Sequence, residues 1–216
     1  MKMVYTCNGF VLNQTLMKNI FAFILIINSL VVFGQKTFRD ENNQIITEEA
    51  YNNRKLIHGQ FKACNDSLQS CKIIINRSEE GNIETEKLLD DLEKLLKIEL
   101  NKNQPTIVTF YPGKDKCNST GTATATSQYL WHKEKENLSD KIKKSNYLYI
   151  YKDKKNIKTI KKLKWFKDPK NIVENTFFNY HYPCSSYVII YNNKYRSYFG
   201  EFSQSQVYND LKAIVK

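Results

Sequence analysis

The segment Thr106-Ile-Val-Thr-Phe-Tyr111 is an unbroken run of β-branched and aromatic residues that follows directly after Pro105. Such a run is typical of a strand that is buried on both faces at the centre of a parallel sheet. A loop follows from Pro112 to Gly121, and the next segment, Ser127–Lys143, has a helical pattern. We therefore predict a central strand, a loop and a helix that crosses back over the sheet.

The apolar residues of the predicted helix define the side that should face the core. Apolar side chains of a surface helix normally lie together on one face, toward the protein interior. We therefore expect the inward positions to be Tyr129, Leu130, Leu138 and Ile142.

Further segments with regular patterns lie on both sides of this unit. Apolar runs between turn residues predict strands, and apolar residues at helical spacing predict helices. The resulting order, β-α-β-α-β-α-β-β-α, is that of a mixed α/β domain. The remaining elements are strands at Lys72–Asn76 and Tyr147–Tyr151, a helix with apolar residues between Ile83 and Leu100, a helix opened by Asp168-Pro169, a hairpin of Ser186–Tyr191 and Tyr195–Phe199, and a last helix capped by Ser203.

This order, with parallel strands first and a hairpin and helix last, resembles the thioredoxin-like family over roughly residues 70–216. The strongest local marks are the strand at 106–111, which leads to a cysteine-bearing loop, and Tyr182-Pro183-Cys184 before the hairpin. The resemblance implies a three-layer α/β/α sandwich with a mixed sheet, central parallel strands and a C-terminal β-hairpin plus helix. In that family the matching proline is cis and faces the active-site cysteine, so the resemblance implies the same for Pro183. Cis peptide bonds are rare enough to mark deliberate sites.

The family's dithiol motif is Cys-x-x-Cys, in which the first thiolate attacks a disulfide and the second cysteine resolves the mixed intermediate. This chain has Cys117-Asn118-Ser119-Thr120, so a threonine occupies the place of the second cysteine. The resemblance therefore implies a split catalytic site, with Cys117 as the nucleophile, Cys184 as the resolving group and Pro183 beside them. Protein thiols or disulfides are the implied partners.

Four cysteines follow residue 34, and an even number suits an oxidising compartment, where disulfides persist. Four cysteines allow three pairings. The simplest joins Cys64 to Cys71, which are close in sequence, and leaves Cys117 and Cys184 as a long-range pair. That second pair is either a labile redox disulfide or a structural bridge between the loop and the hairpin.

The N-terminal segment indicates export, because Lys18 precedes an apolar run from Ile20 to Phe33. The run is shorter than the ~20 apolar residues that span a bilayer, and the small residue Gly34 follows it. We predict a signal peptide over residues 1–34, with Met17 as the expected start, and a periplasmic or extracellular location without a transmembrane span after cleavage. An uncleaved anchor is the alternative. The rest divides into a polar N-terminal extension, 35–69, and the domain, 70–216.

The chain carries a net charge of +11, and its lysines are concentrated in Lys141–Lys170, which holds twelve lysines and two aspartates. Such a run is usually a solvated surface, and a weak attraction to anionic surfaces follows from it. Nucleic acid is not expected as a partner, because arginine, the usual reader of bases, is absent from this segment.

No residue pattern predicts a metal or cofactor site, because His58, His132 and His181 are scattered without metal-ligand spacing. Two function classes remain open. One is a thiol–disulfide oxidoreductase that uses Cys117 and Cys184. The other is a non-catalytic, disulfide-bridged module that binds a protein or an anionic partner.

Overall fold

The structure is a computed structural model that describes residues 36–66, 68–114, 121–180 and 184–216. Over these residues the chain forms ten strands and five α-helices, which confirms the mixed α/β class. The strands are β1 (Thr37–Arg39), β2 (Ile45–Ile46), β3 (Phe61–Asn65), β4 (Ser70–Ile74), β5 (Ser78–Asn82), β6 (Thr106–Tyr111), β7 (Asn146–Tyr151), β8 (Trp165–Lys167), β9 (Ser186–Tyr191) and β10 (Lys194–Tyr198). The helices are α1 (Glu48–Asn53), α2 (Thr85–Leu96), α3 (Ala125–Asp140), α4 (Ile172–Phe177) and α5 (Gln204–Ile214).

The larger of two sheets has six strands in the order β5-β10-β9-β6-β7-β8. Strands β6, β7 and β8 are parallel, and the antiparallel β9–β10 hairpin joins them through pairing of β9 with β6. Asn192 and Asn193 form the hairpin turn with φ values of 50° and 59°, which suits a tight turn between twisted strands. The predicted central strand and the predicted hairpin are therefore confirmed.

The two faces of this sheet are covered by different helices. Alternate side chains of β6 and β9 point to opposite faces, so Val108 and Val188 lie on one side and Ile107 and Ile189 on the other. Helices α2 and α4 pack on the first side, which we call the apolar face. Helices α3 and α5 pack on the second side, which we call the polar face for the side chains that α3 buries there.

The apolar face is filled by hydrophobic side chains from its two helices and from the strands beneath them. Phe110 stacks on Phe178 with ring centroids 5.1 Å apart, and Phe178 meets Phe199 edge to face at 5.8 Å. Asp168 opens the helical segment as predicted, because its carboxylate accepts hydrogen bonds of 3.0 and 2.9 Å from backbone N–H groups in the first turn of α4.

Helix α3 begins and ends close to the predicted bounds, but its buried side is not the predicted one. Of the four expected inward residues, Leu130 is 59% exposed, and Tyr129 and Leu138 are only half-buried. Ile142, just beyond the end of the helix, does pack against the hydrophobic cluster of this face, as expected. The buried side chains are polar: His132, Lys135, Glu136 and Ser139. The sheet beneath α3 presents hydroxyl groups that pair with two of them, so hydrogen bonding rather than hydrophobicity determines which side is buried.

A second sheet has four strands in the order β2-β1-β4-β3. Its β3–β4 hairpin includes residues on both sides of position 70, the expected domain boundary, and its strand β4 corresponds to the strand predicted at 72–76. The edge strand of the large sheet beside the β9–β10 hairpin is instead β5, whose polar sequence Ser78-Glu-Glu-Gly-Asn82 has no strand pattern. The core of this small sheet consists of Phe38, Tyr51, Cys71 and Ile73.

The predicted signal peptide, residues 1–34 with its start at Met17, lies outside the described part of the chain. Within the described residues, no helix combines the length and the apolar character that a membrane crossing requires.

Candidate functional site

Of the three predicted catalytic residues, Cys184 belongs to the described part of the chain, whereas Cys117 and Pro183 lie outside it. Cys184 is half-buried just before β9 and is disulfide-bonded, with its partner outside the described residues. Its φ is 67°, in the left-handed region, which costs a residue with a side chain about 1–2 kcal/mol. Such conformations persist where the surrounding structure enforces them, frequently at functional sites.

The other predicted bridge, Cys64–Cys71, is confirmed. The two residues face each other in register across β3 and β4, with their Cα atoms 4.0 Å apart. Cys71 is buried in the core of the small sheet. This disulfide therefore joins two neighbouring strands of one sheet, whereas Cys184 lies at the end of a strand in the other.

Cys184 lines a pocket of about 540 Å³ beside the C-terminal end of β6 and the first turns of α3. This volume lies within the range of small-molecule sites, which combine apolar walls with a few polar groups. The described aromatic side chains of the wall are Tyr111, Trp131, Trp165 and Phe202, and the polar side chains include Ser127, Gln128, His132, Asn156, Lys158, Thr159 and Glu201.

The lysine-rich segment forms one wall of this pocket and holds the beginning of α3 in place. Lys158 Nζ donates hydrogen bonds to the carbonyl oxygens of Gly121 and Ala123, at 3.3 and 2.6 Å. Lys162 Nζ donates to Thr126 Oγ1 at 2.8 Å. Ten of the twelve lysines in Lys141–Lys170 are exposed, as predicted for a solvated surface. Lys158 and Lys162 are among these ten, and their hydrogen bonds also position the start of α3, a helix that contributes residues to the pocket lining.

His132 is nine-tenths buried on α3 and lines the pocket. Its ring meets those of Trp131, Tyr149 and Trp165 edge to face, with centroids 5.1, 5.0 and 6.1 Å away. Its Nδ1 is buried and has no hydrogen-bond partner within the described part of the chain. Burial, assisted by the charge of Lys135, lowers the pKa of His132 to about 3, so the imidazole is neutral at physiological pH.

Lys135 lies one helical turn further on and is almost completely buried. Its Nζ donates a 2.5 Å hydrogen bond to Thr109 Oγ1 of β6 and lies 5.0 Å from the centroid of the Tyr149 ring. Burial lowers the pKa of Lys135 to about 7, while the neighbouring Glu136 carboxylate acts in the opposite direction. The ammonium is therefore partly deprotonated at neutral pH.

Glu136 completes the buried polar side of α3. Its Oε1 accepts a 2.6 Å hydrogen bond from the Tyr149 hydroxyl, and its Oε2 pairs with Lys133. Burial, together with the Glu136 carboxylate, raises the pKa of Tyr149, so its hydroxyl remains protonated and can donate this bond. On the same helix Ser139 Oγ donates to the carbonyl oxygen of Lys135 at 2.9 Å.

The pocket thus combines a disulfide-bonded sulfur with a neutral imidazole whose buried Nδ1 has no hydrogen-bond partner among the described residues. Sequence reasoning identified Cys184 but missed His132 and Lys135. The sequence feature that could have indicated them is a row of polar residues on one side of α3, at spacings of three and four: His132, Lys135, Glu136 and Ser139. A polar stripe at this spacing ordinarily faces solvent, so its burial could not be predicted from the sequence.

Among the described residues, no group of three or more His, Cys, Asp or Glu side chains is arranged to hold a metal ion. Comparison with protein-family models, with curated proteins and with solved structures finds no match for this chain.

Proposed function

We propose that this protein is an exported, thioredoxin-like domain protein that exchanges thiols and disulfides through Cys184 and Cys117, with Pro183 shaping the groove. The strand order supports the fold: β7, β6, β9 and β10 are neighbours, with β6 and β7 parallel and the hairpin antiparallel. Helix α3 connects β6 to β7, α4 precedes β9, and α5 follows β10. This is the arrangement that the resemblance to the thioredoxin-like family implies.

The partner that we propose for Cys184 is Cys117. The two cysteines of the small sheet are bonded to each other, which leaves Cys7 and Cys117. Cys7 precedes the proposed cleavage site after Gly34 and would be absent from the exported protein. The end of β6 pairs with the start of β9, Phe110 opposite Ser186, so the chain leaves β6 near Cys184 and reaches Cys117 a few residues later.

The observation that carries the proposal is the position of the Cys184 disulfide in a pocket lined by aromatic side chains and by neutral His132. A disulfide that only stabilised the fold would not need to line a pocket with aromatic side chains and a neutral histidine. His132 Nδ1 is buried without a hydrogen-bond partner in the described part of the chain, and burying a polar group in this way costs about 1–3 kcal/mol. Costs of this kind are typically retained where a polar group has a role in binding or chemistry.

The proposed exchange proceeds in two steps with a substrate dithiol. A substrate thiolate attacks one sulfur of the Cys117–Cys184 bond, which forms a mixed disulfide and releases the other cysteine as a thiolate. The second substrate thiol loses its proton and attacks the mixed disulfide, forming the substrate disulfide and releasing the second protein thiolate. Two electrons pass to the protein, and the two thiol protons end on its cysteines.

The first test uses the Cys64–Cys71 disulfide as an internal reference. The mature protein is equilibrated in graded thiol buffers, free thiols are alkylated, and mass spectrometry follows each bond separately. We expect a Cys117–Cys184 bond with a reduction potential well above about −300 mV, the upper limit typical of structural disulfides, and a Cys64–Cys71 bond below it. Two equally resistant bonds, or a different partner for Cys184, would contradict the proposal.

The second test measures activity directly. The variant Cys117→Ser should lose insulin-type disulfide reduction while keeping its circular dichroism spectrum. The double variant Cys64→Ser/Cys71→Ser is the matched control and should retain the activity, because that bridge lies in the other sheet. A large fall in melting temperature for Cys117→Ser, with no activity in the parent protein, would identify the bond as structural.

The exposed lysines of Lys141–Lys170 favour a second candidate function, a disulfide-bridged module that binds a protein or an anionic partner. Retention on heparin or on anionic liposomes, lost in modest salt, would support it, because screening weakens attraction between exposed charges. No retention at low salt would dismiss it.

A further inference from the structure

The loop between β7 and β8, residues 152–164, holds seven lysines and a single acidic residue, Asp153. Lys152 is half-buried and pairs with Glu174 at 2.6 Å, and the exposed Lys155 lies 3.9 Å from Asp153. The other five lysines are exposed and have no carboxylate partner among the described residues, so the loop presents positive charge to solvent. These five are Lys154, Lys158, Lys161, Lys162 and Lys164.

The same loop is held to the domain by hydrogen bonds and by buried side chains. The Tyr111 hydroxyl donates to the carbonyl oxygen of Lys155 at 2.8 Å, and Trp165 Nε1 donates to Thr159 Oγ1 at 3.1 Å. Thr159 and Leu163 are buried, and the Leu163 N–H donates to the Thr159 carbonyl oxygen at 2.9 Å. Ordering a long loop costs conformational entropy, and long ordered loops usually serve a function. The lysines are therefore displayed from a fixed scaffold.

Two large hydrophobic side chains are exposed beside these lysines. Ile160, 39% exposed, lies within the loop. Leu130, 59% exposed, is one helical turn from Thr126 of α3, whose hydroxyl group accepts the hydrogen bond of Lys162. We call the five exposed, unpaired lysines together with Leu130 and Ile160 the basic patch. It combines positive charge with exposed apolar surface.

This combination fits a membrane surface better than a dissolved polyanion. Anionic headgroups attract lysine clusters, and apolar side chains that enter the headgroup region add to the binding. A dissolved polyanion has no apolar phase, so it would use the lysines alone. The loop contains no arginine, whose planar fork suits one precisely placed phosphate or sulfate group, whereas lysine acts as a compact point charge. Lysines therefore suit a surface on which the anionic groups are not fixed in position.

We propose that the basic patch is a docking surface for an anionic membrane. The exposed lysines approach the headgroups, and Leu130 and Ile160 enter the interface between them. This proposal rests on the second candidate function, a module that binds an anionic partner, and does not depend on disulfide exchange at Cys184.

The first experiment measures cosedimentation of the mature protein with vesicles at low salt. The vesicles contain equal parts of phosphatidylglycerol and phosphatidylcholine, or phosphatidylcholine alone. We expect binding to the anionic vesicles only. The triple variant Lys154→Gln/Lys161→Gln/Lys164→Gln should bind them about 100-fold more weakly, because each lysine near an anionic surface contributes roughly fivefold in affinity.

The matched control is the triple variant Lys94→Gln/Lys97→Gln/Lys212→Gln, which removes the same charge at exposed positions outside the basic patch. It should lose less than about tenfold in affinity, since charges farther than a Debye length from the headgroups are largely screened. Equal losses in the two triple variants would show that net charge alone attracts the protein, and no binding to anionic vesicles would show that it does not dock; either result overturns the proposal.

The second experiment separates a membrane from a dissolved polyanion. The variant Leu130→Gln/Ile160→Thr should bind the anionic vesicles about tenfold more weakly, because it loses apolar side chains that enter the interface, and should keep its retention on heparin. The matched control Leu95→Gln/Ile75→Thr alters exposed hydrophobic residues elsewhere and should change neither.

Unchanged vesicle affinity in Leu130→Gln/Ile160→Thr, together with strong retention on heparin, would identify a dissolved polyanion as the partner and overturn the membrane proposal. The second candidate function would survive that result, whereas loss of heparin retention in the unmodified protein would contradict both. The reduction potential of the Cys184 disulfide is measured independently of either outcome.

Discussion

The two faces of the six-stranded sheet are covered in opposite ways. On the apolar face, α2 and α4 bury leucine, valine and phenylalanine side chains against the strands. On the polar face, α3 buries a histidine, a lysine, a glutamate and a serine. The pocket with Cys184 adjoins the polar face, through Trp131 and His132 of α3. The side that adjoins the pocket therefore buries polar groups of α3 next to a smaller hydrophobic cluster under α5, whereas the other side buries mainly hydrophobic side chains.

The two faces differ in what burial of their side chains contributes to the free energy of unfolding. Apolar burial contributes roughly 25 cal/mol per Å² and requires no partners. A buried polar group lowers the free energy of unfolding unless its hydrogen bonds are made, and a buried charge lowers it further. Among the described residues, the polar face holds an imidazole nitrogen without a hydrogen-bond partner and an almost completely buried lysine.

The largest effect is expected from a truncation on the apolar face. Phe178→Ala removes a ring that stacks on Phe110 and contacts Phe199, and it leaves a cavity in a fully hydrophobic cluster. We expect the free energy of unfolding to fall by about 3–5 kcal/mol in chemical denaturation. A loss below 1 kcal/mol would mean that the apolar face does not carry the stability of the domain.

A substitution on the polar face should act in the opposite direction. Lys135→Met fills the same space without a buried amine, so we expect a gain of about 2–4 kcal/mol at pH 7. The pKa of this lysine is about 7 in the folded protein and about 10.4 when unfolded, so the unfolded state binds more protons between these values. Stability of the parent protein should therefore rise with pH across this window.

In Lys135→Met this contribution to the pH dependence should vanish. Denaturation curves at pH 7, 8 and 9 for both proteins check it. The exposed Lys161→Met is the matched control and should change neither the stability nor its slope with pH. A loss of stability in Lys135→Met would show that the bond to Thr109 outweighs the cost of burying the amine.

The smallest change in the free energy of unfolding is expected at Tyr149, whose hydroxyl group is hydrogen-bonded on the polar face. Tyr149→Phe removes the 2.6 Å hydrogen bond to Glu136 but leaves the ring in place. We expect a loss of about 1–2 kcal/mol, because Glu136 Oε2 keeps its pairing with Lys133. Unchanged or increased stability would mean that even the paired groups of the polar face contribute nothing to folding.

The sequence predicted those elements in which hydrophobicity, propensity and turn chemistry agree. The strand Thr106–Tyr111 and the hairpin around Asn192-Asn193 are apolar, β-branched and bounded by turn residues, and both were correct. The N-cap role of Ser203 was also correct, since its side chain accepts from the backbone of Gln206. The Cys64–Cys71 bridge followed from closeness along the chain.

Two features were wrong or missed because tertiary context overrode the local pattern. Strand β5 is a polar edge strand, and the ring of Tyr195 on β10 covers Gly81, so its pairing depends on a neighbour distant in sequence. The buried side of α3 depends on Thr109 and Tyr149, hydroxyl partners that only the folded sheet brings beneath it. The roles of Cys117 and Pro183 remain predictions.

The small sheet has a consequence for how the chain opens. Its hydrophobic core is a cluster separate from the two clusters of the large sheet. The only crosslink within the small sheet among the described residues is the Cys64–Cys71 disulfide, whose cysteines are seven positions apart. A loop this short restricts the unfolded chain little, so the disulfide adds little stability. Local opening free energies in a protein range from near zero to the global value. Backbone amides of β1 to β4 should therefore exchange with deuterium, and become susceptible to proteases, well before those of β6 and β9.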